Sequence, residues 1–290
     1  MRMNAVDSAE VAPNFHHSNP VGYRRPEVRP PMHARLCAVL LAAAALAGPL
    51  HSSGRAAPTE AATVFRSGPG QTALVELYTS EGCSSCPPAE AWLNRLASLP
   101  GLWSAFVPVA LHVSYWDRLG WRDPWASADF TERQRAYVRV WRSDSVYTPA
   151  VVLNGQEWRA WSGHRDIPRP SNNPGTLTTR STDGVRWEIE FAPTESSGPV
   201  EAWVALLSRG VESDVRAGEN RGRRLHHDFV AIEVVTVPLA RSGNIFRIEA
   251  RISRARVPRG GSAALAVWVT AAGQVAPLQA LGGDLPPAGG

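Results

Sequence analysis

Two cysteines, Cys83 and Cys86, are separated by two serines and form the motif with the clearest chemistry in this sequence. A Cys-x-x-Cys pair can cycle between a dithiol and a disulfide, and the thiolate is the attacking species. The segment after Cys86 predicts a helix. The motif therefore falls at a helix N-terminus, where unpaired amides and the helix dipole stabilise negative charge. We expect Cys83 to be the exposed nucleophile and Cys86, one turn further in, to resolve the mixed disulfide.

Other side chains near this motif leave alternatives open. Cys-x-x-Cys also occurs in zinc sites, but a ribbon-type zinc site needs a second cysteine pair, which the sequence lacks. His112 ends a predicted strand and suggests a copper site with both cysteines, although a lone histidine there is more often simply hydrogen-bonded. Glu81 suggests a proton acceptor for the resolving thiol, although a solvated turn carboxylate is the simpler interpretation. We therefore predict no metal ligand.

Aromatic and histidine clusters elsewhere are weaker candidates. Trp116, Trp121 and Trp125 suggest a substrate groove beside the dithiol, but tryptophans more often pack in a core or at a domain interface. The run His226-His227-Asp228 lies between predicted strands, so it predicts a surface loop rather than a metal cluster.

The elements that position the dithiol follow from hydrophobic spacing. A buried strand at 73–78 leads into the turn before Cys83, and Pro87-Pro88 open a helix that ends near Pro100. The remaining elements of this half are a strand at 106–113, a helix beginning with the capping-box pair Asp129 and Glu132, a strand at 150–153, a hairpin turn at Asn154-Gly155 and a return segment at 157–161. This order indicates a small α/β domain with a mixed sheet.

In the second half of the chain, apolar residues recur at every second position instead of at helical spacing. Residues 163–178 are rich in Pro, Asn and Gly and predict a linker. Beyond it, apolar and polar residues alternate in several short runs, as they do around Trp187, Phe246 and Val267. Such runs separated by turns predict an antiparallel β-sandwich.

Long stretches resemble a known family. A strand, the dithiol, a helix and a later Thr148-Pro149 before a strand resemble the thioredoxin-like superfamily. That resemblance implies a cis proline at Pro149 and a substrate-binding role for Thr148 and Pro149. The segments 76–90, 112–121, 131–135, 146–149 and 218–222 resemble bacterial secreted proteins of the domain-of-unknown-function 1223 family. This resemblance, over about residues 72–280, implies a thioredoxin-like domain followed by a β-rich one.

Two departures from these patterns stand out. Ser114 occupies a position where an acidic residue is expected, which argues against an ionic role there. The segment after Trp161 is Pro-rich where a thioredoxin-like domain usually closes with a helix.

The N-terminal segment predicts export. Residues 36–46 form a short apolar run after Arg35 and end in small residues, as in a secretory signal peptide. We expect cleavage near residue 47 or 57, and Met32 is an alternative start. All 30 basic residues are arginine, and six of them lie in residues 1–57 with three acidic residues. The mature chain is therefore nearly neutral, which argues against nucleic-acid binding, and it has no predicted membrane span.

These observations predict an α/β thioredoxin-like domain at 72–162, a linker at 163–178 and an antiparallel β-sandwich-like domain at 179–281, after a leader at 1–57. We expect a periplasmic or secreted thiol–disulfide oxidoreductase whose partners are protein or small-molecule thiols and disulfides. Cys83 and Cys86 are its catalytic residues, and their redox-active disulfide replaces any separate cofactor. The alternatives are a non-catalytic binding protein with a structural disulfide and a periplasmic copper-handling protein.

Overall fold

The computed structural model describes residues 62–164 and 166–287, so the predicted leader lies outside the described residues. These residues fall into one compact unit. The strands are β1 (Thr63–Arg66), β2 (Ala73–Thr79), β3 (Phe106–His112), β4 (Ala150–Leu153), β5 (Gln156–Glu157), β6 (Gly175–Ser181), β7 (Arg186–Pro193), β8 (Val200–Arg209), β9 (Val211–Asp214), β10 (Arg224–His227), β11 (Val230–Pro238), β12 (Ala240–Ser242), β13 (Ile245–Arg251), β14 (Ser262–Ala271) and β15 (Pro277–Asp284). The α-helices are α1 (Pro87–Arg95) and α2 (Ala128–Trp141). Short 3-10 helices span Leu96–Ser98, Ser114–Leu119, Arg159–Gly163 and Arg254–Arg256.

The strands form two large sheets and one hairpin. The first sheet has eight strands in the order β15-β14-β8-β11-β3-β2-β4-β5. The second has five strands in the order β1-β6-β7-β13-β12, and β9 pairs with β10 as a separate antiparallel hairpin. Within the eight-stranded sheet, β2 and β3 are parallel, whereas β4 is antiparallel to β2.

The predicted fold class, a thioredoxin-like α/β domain followed by a separate β-sandwich-like domain, is wrong. The protein is mostly β-sheet, and β11 pairs with β3 on one side and with β8 on the other. Val230 of β11 lies opposite Ala110 of β3, and the Ala110 amide donates to the Phe229 carbonyl at 2.8 Å. A bare edge of β3 would expose unpaired backbone groups, and the distal strands satisfy them by extending the same sheet. The β-rich, sandwich-like part of the expectation is confirmed.

The side chains of β8 and β14 alternate between the two faces of the eight-stranded sheet and contribute to two cores. Ala205 and Leu207 of β8 point to a core that also contains α1 and α2, whereas Val204 and Leu206 point to a core against the five-stranded sheet. β14 divides in the same way. Because side chains of a strand alternate between its faces, each of these strands is buried on both sides.

Local signals place the helices and one turn. Pro87 and Pro88 occupy the first turn of α1, where the missing amides have no intrahelical acceptor. α2 begins one residue after Ser127, whose side chain accepts from the Asp129 amide at 3.2 Å, so the predicted Asp129 cap is displaced by two residues. Asn154 and Gly155 both have positive φ and form the predicted hairpin turn. Among the described residues, no helix is long and apolar enough to span a membrane.

A buried ion pair joins α2 to the eight-stranded sheet. Nε of Arg133 lies 2.6 Å from Oε1 of Glu76 on β2, and both side chains are almost fully buried. The Tyr137 hydroxyl also donates to Glu76, and the Arg133 guanidinium lies 4.3 Å from the centre of the Trp203 ring. Burial alone would lower the pKa of Arg133, but the charge and hydrogen bond of Glu76, together with Tyr137 and Tyr78, raise that pKa. The Arg133 guanidinium therefore keeps its charge in the core.

We expect Arg133→Met to lower the free energy of unfolding by about 3–5 kcal/mol, because it leaves the Glu76 carboxylate buried without its partner. The matched control is Arg135→Met, two residues later, whose partner Glu132 is as exposed as Arg135 itself. That substitution should change stability by less than about 1 kcal/mol. Urea unfolding followed by tryptophan fluorescence measures both, and equal effects of the two variants would contradict this assignment.

Candidate active site around the Cys83–Cys86 disulfide

Cys83 and Cys86 lie between the end of β2 and the start of α1. They are joined by a disulfide with the Cα atoms 5.4 Å apart. The Cys83 amide donates to the Ser80 carbonyl at 3.1 Å, and the Cys86 amide donates to the Cys83 carbonyl at 3.2 Å. The Cys86 carbonyl then accepts the Glu90 amide at 3.1 Å as the helix begins. The disulfide thus lies at the N-terminus of α1, where the sequence placed it.

Both cysteines are fully buried, with 0% of their surface exposed, whereas Ser84 and Ser85 between them are exposed. The expectation of an exposed Cys83 is therefore wrong. The Cys83 sulfur lies 3.3 Å from the Ser85 hydroxyl.

The cover over the disulfide is the segment 218–222, which we call the covering loop. Asn220 is buried and its amide donates to the carbonyls of Glu81 and Cys83, each at 2.9 Å. The Glu219 carboxylate accepts from the Ser84 hydroxyl at 2.7 Å and from the Ser84 amide at 3.0 Å. These two hydrogen bonds lower the pKa of Glu219. A loop from the distal half of the chain thus holds the dithiol turn closed.

Thr148 and Pro149 lie beside the same turn. Their peptide bond is cis, and Ala150 pairs with Tyr78 near the end of β2. The Trp116 indole donates to the Thr148 hydroxyl at 2.7 Å. A Cβ on Gly82, next to Cys83, would lie 3.1 Å from the Trp116 Cβ, so Trp116 contacts both segments. The substrate-binding role of Thr148 and Pro149 stays a prediction.

Glu81, two residues before Cys83, is fully buried rather than solvated. Its carboxylate accepts from the indoles of Trp121 at 2.7 Å and Trp125 at 3.0 Å. Nε2 of His227 lies 3.2 Å from the same group. The two tryptophans therefore serve as hydrogen-bond donors to a buried charge, a role that their spacing in sequence did not indicate.

His112, at the end of β3, is held by Asp123. Its Nδ1 lies 2.8 Å from Oδ2 of Asp123, which also accepts the Glu81 amide at 2.8 Å. Burial alone would lower the pKa of His112, but the Asp123 charge and hydrogen bond raise it. For Asp123 the two effects have the opposite signs: burial alone would raise its pKa, but the charge and hydrogen bond of His112 lower it. Nε2 of His112 has no hydrogen-bond partner within residues 62–164 and 166–287.

His227 ends β10 and is buried, so the predicted surface loop at 226–228 is wrong for this residue. Its Nδ1 lies 2.6 Å from Oε2 of Glu90 on α1, although the two are out of line for a hydrogen bond. The other Glu90 oxygen accepts from the Thr79 hydroxyl at 2.5 Å. Burial alone would lower the pKa of His227, but Glu81 and Glu90 outweigh it and raise the pKa to about 10.

The sequence missed several of these residues. Glu90 and Asn220 fall inside the segments that resemble the family, and that resemblance was the only signal for them. Asp123 carried no signal. His227 was weighed in the run His226-His227-Asp228, but the sequence favoured a surface loop because its buried partners lie far away in the chain. The assembled site combines a buried disulfide, a loop hydrogen-bonded to the dithiol turn, and a cluster of buried carboxyl and imidazole groups that includes Glu90 in the first turn of α1.

We expect Asn220→Ala to lower the free energy of unfolding by about 1–3 kcal/mol, because it removes the Asn220 donor from the buried Glu81 carbonyl and leaves the Cys83 carbonyl with the Cys86 amide alone. If reduction requires this loop to leave the dithiol turn, dithiothreitol should reduce the disulfide about tenfold faster for each 1.4 kcal/mol by which the loop contacts are weakened. Stopped-flow reduction under native conditions measures this rate. The control is Asn244→Ala, whose amide also donates to a backbone carbonyl but in the other sheet; a similar acceleration there would contradict the role of Asn220.

Comparison with known proteins gives a family match that includes this site. The family described as "Protein of unknown function (DUF1223)" matches residues 74–270. The crystal structure of protein AGR_C_4864 from Agrobacterium tumefaciens is 26% identical, with 74% of this chain and 94% of that chain covered at a TM-score of 0.53. HBP35 of Porphyromonas gingivalis is 11% identical over 76% of each chain, with a TM-score of 0.49. None of the curated proteins compared matches the chain.

The family match spans more than half of the chain and contains the dithiol, the cis proline segment and the covering loop. The chain therefore belongs to the DUF1223 family.

Proposed function

We propose that this protein is an exported thiol–disulfide oxidoreductase that uses Cys83 and Cys86. The observation that carries the proposal is the disulfide between them at the N-terminus of α1. A helix N-terminus stabilises the thiolate that exchange chemistry requires. The segment Thr148-Pro149 lies beside the dithiol turn, where the Trp116 indole donates to the Thr148 hydroxyl, and this position supports a role of the segment in orienting a substrate chain.

The proposed exchange proceeds through a mixed disulfide. In the reducing direction, the Cys83 thiolate attacks one sulfur of a substrate disulfide, and the other substrate sulfur leaves as a thiolate that takes up a proton. The Cys86 thiolate then attacks the Cys83 sulfur and releases the second substrate thiol. The substrate gains two electrons, and Cys83 and Cys86 end as a disulfide. The reverse sequence oxidises a substrate dithiol.

Exchange requires the covering loop to open, because both sulfurs are buried beneath it. Opening breaks the two Asn220 hydrogen bonds and the two that Glu219 accepts from Ser84. Glu219 and Ser84 are exposed, so their contacts are weak and easily exchanged with water. A partner that displaces Glu219 from Ser84 would begin this opening, and access then depends on the partner.

A second candidate function is a binding protein in which the disulfide is permanent. Complete burial of both cysteines favours it, because structural disulfides are typically shielded and resist reduction. In that case the β-rich part of the chain would carry recognition. Export is part of both proposals. The apolar run at 36–46 supports it as a signal peptide, and the disulfide supports it because disulfides persist in oxidising compartments.

We expect the Cys83–Cys86 couple to have a reduction potential between about −120 and −270 mV, the range of exchange enzymes. Equilibration of the protein in glutathione buffers, followed by tryptophan fluorescence, measures it. The reduced protein should catalyse insulin disulfide reduction by dithiothreitol. Cys83→Ser should abolish this activity, whereas Cys86→Ser should trap a mixed disulfide that mass spectrometry detects.

A potential below about −300 mV would place the bond among structural disulfides and contradict the enzyme proposal. A mixed disulfide that forms equally well in Cys83→Ser would also contradict the assignment of Cys83 as the nucleophile.

A further inference from the structure

Three side chains converge beneath the disulfide: Glu90 of α1, His112 of β3 and His227 of β10. Each offers one possible ligand atom, and these atoms lie within 4.8 Å of one another. All three residues are buried, with at most 4% of their surface exposed. They come from three elements that are far apart in sequence. We propose that Glu90, His112 and His227 bind a divalent transition-metal ion, for which Zn²⁺ is the matching chemistry.

The hydrogen bonds of the two histidines support this site. Each ring uses one nitrogen for a carboxylate outside the trio: Nδ1 of His112 for Asp123, at 2.8 Å, and Nε2 of His227 for Glu81, at 3.2 Å. Of the opposite nitrogens, Nε2 of His112 has no hydrogen-bond partner among the described residues, and Nδ1 of His227 faces Oε2 of Glu90 inside the trio. Metal-binding histidines almost always place their second nitrogen against a carboxylate or carbonyl in this way.

A buried ring nitrogen without a partner is unfavourable, and Nε2 of His112 is such an atom. The rings of His112 and His227 lie 5.3 Å apart, nearly perpendicular, so they approach the common centre from different directions. Oε2 of Glu90 lies 2.6 Å from Nδ1 of His227 without the alignment of a hydrogen bond. One ion bound to all three atoms would satisfy Nε2 of His112 and would separate Nδ1 of His227 from Oε2 of Glu90, with Zn–N distances of about 2.0–2.1 Å.

The donor set selects the class of ion. Two imidazoles and a carboxylate suit zinc and other borderline transition metals rather than Ca²⁺ or Mg²⁺, which take oxygen ligands. A divalent ion would displace the proton on His227 and supply two positive charges beside three buried carboxyl groups, those of Glu81, Glu90 and Asp123. Three protein ligands leave a fourth position for water or another ligand, as in catalytic zinc sites.

An open pocket reaches one of the three proposed ligands. The pocket lies between α1 and β10, and Glu90 forms part of its wall together with Pro88, Ala91, Asn94 and Arg224. The ligand set excludes both cysteines, so the site differs from a copper site built from Cys83, Cys86 and His112. It is also independent of whether the disulfide is catalytic.

The test is zinc binding to the oxidised protein, produced without a histidine tag and stripped with chelator. Calorimetric titration with ZnCl₂ should show one saturable high-affinity site, and zinc should raise Tm with increasing concentration. X-ray absorption on the zinc-loaded protein should show nitrogen and oxygen ligands with two imidazoles and no sulfur. His227→Ala should remove this site, whereas His226→Ala should keep it, since His226 is exposed and pairs with Glu212.

Two further variants keep the test decisive if His227→Ala fails to fold. Asp123→Asn keeps all three ligands and should weaken zinc binding by about 10–100-fold, as expected for a residue that orients a ligand. The double variant Cys83→Ser/Cys86→Ser should retain the site. The proposal is overturned by no stoichiometric binding, by sulfur in the zinc shell, by loss of binding in the cysteine variant, or by unchanged binding in folded His227→Ala.

Discussion

The arrangement of this protein depends on the burial of Glu81 two residues before the disulfide. An ionised carboxylate in a core is strongly unfavourable unless donors and charges surround it. Its partners are the indoles of Trp121 and Trp125 and the imidazole of His227, which lie 40, 44 and 146 residues away in sequence. Burial of this one group therefore requires the loop after β3 and the hairpin β9–β10 to pack against the dithiol turn.

The position of the hairpin in turn determines how the two halves of the chain join. His227 contacts Glu81 and Glu90, and the backbone amide of the next residue, Asp228, donates to the side-chain oxygen of Asn94 on α1. Two residues later, Val230 begins β11 and pairs with β3. The same short segment thus completes the buried cluster and starts the strand that merges the sheets, so the cluster and the junction belong to one packing unit.

The disulfide and the buried cluster share the first turn of α1. The Glu90 amide donates to the Cys86 carbonyl, while the Glu90 side chain lies against His227. A change at the sulfurs and a change at the imidazoles therefore act on the same helical turn. Above the disulfide, Asn220 holds the carbonyls of both Glu81 and Cys83, so the cover depends on the position of the same turn.

The sequence by itself determined the local features: the strand, dithiol and proline-opened helix at 73–95, the turn at Asn154-Gly155, and alternating strands in the distal half. Each depends on hydrophobic period or on backbone preferences within a few residues. Only the tertiary structure decided that one sheet runs through both halves, that Cys83 is covered, and that Glu81 and His227 are buried together. Those outcomes depend on pairing between segments more than a hundred residues apart, which no local pattern encodes.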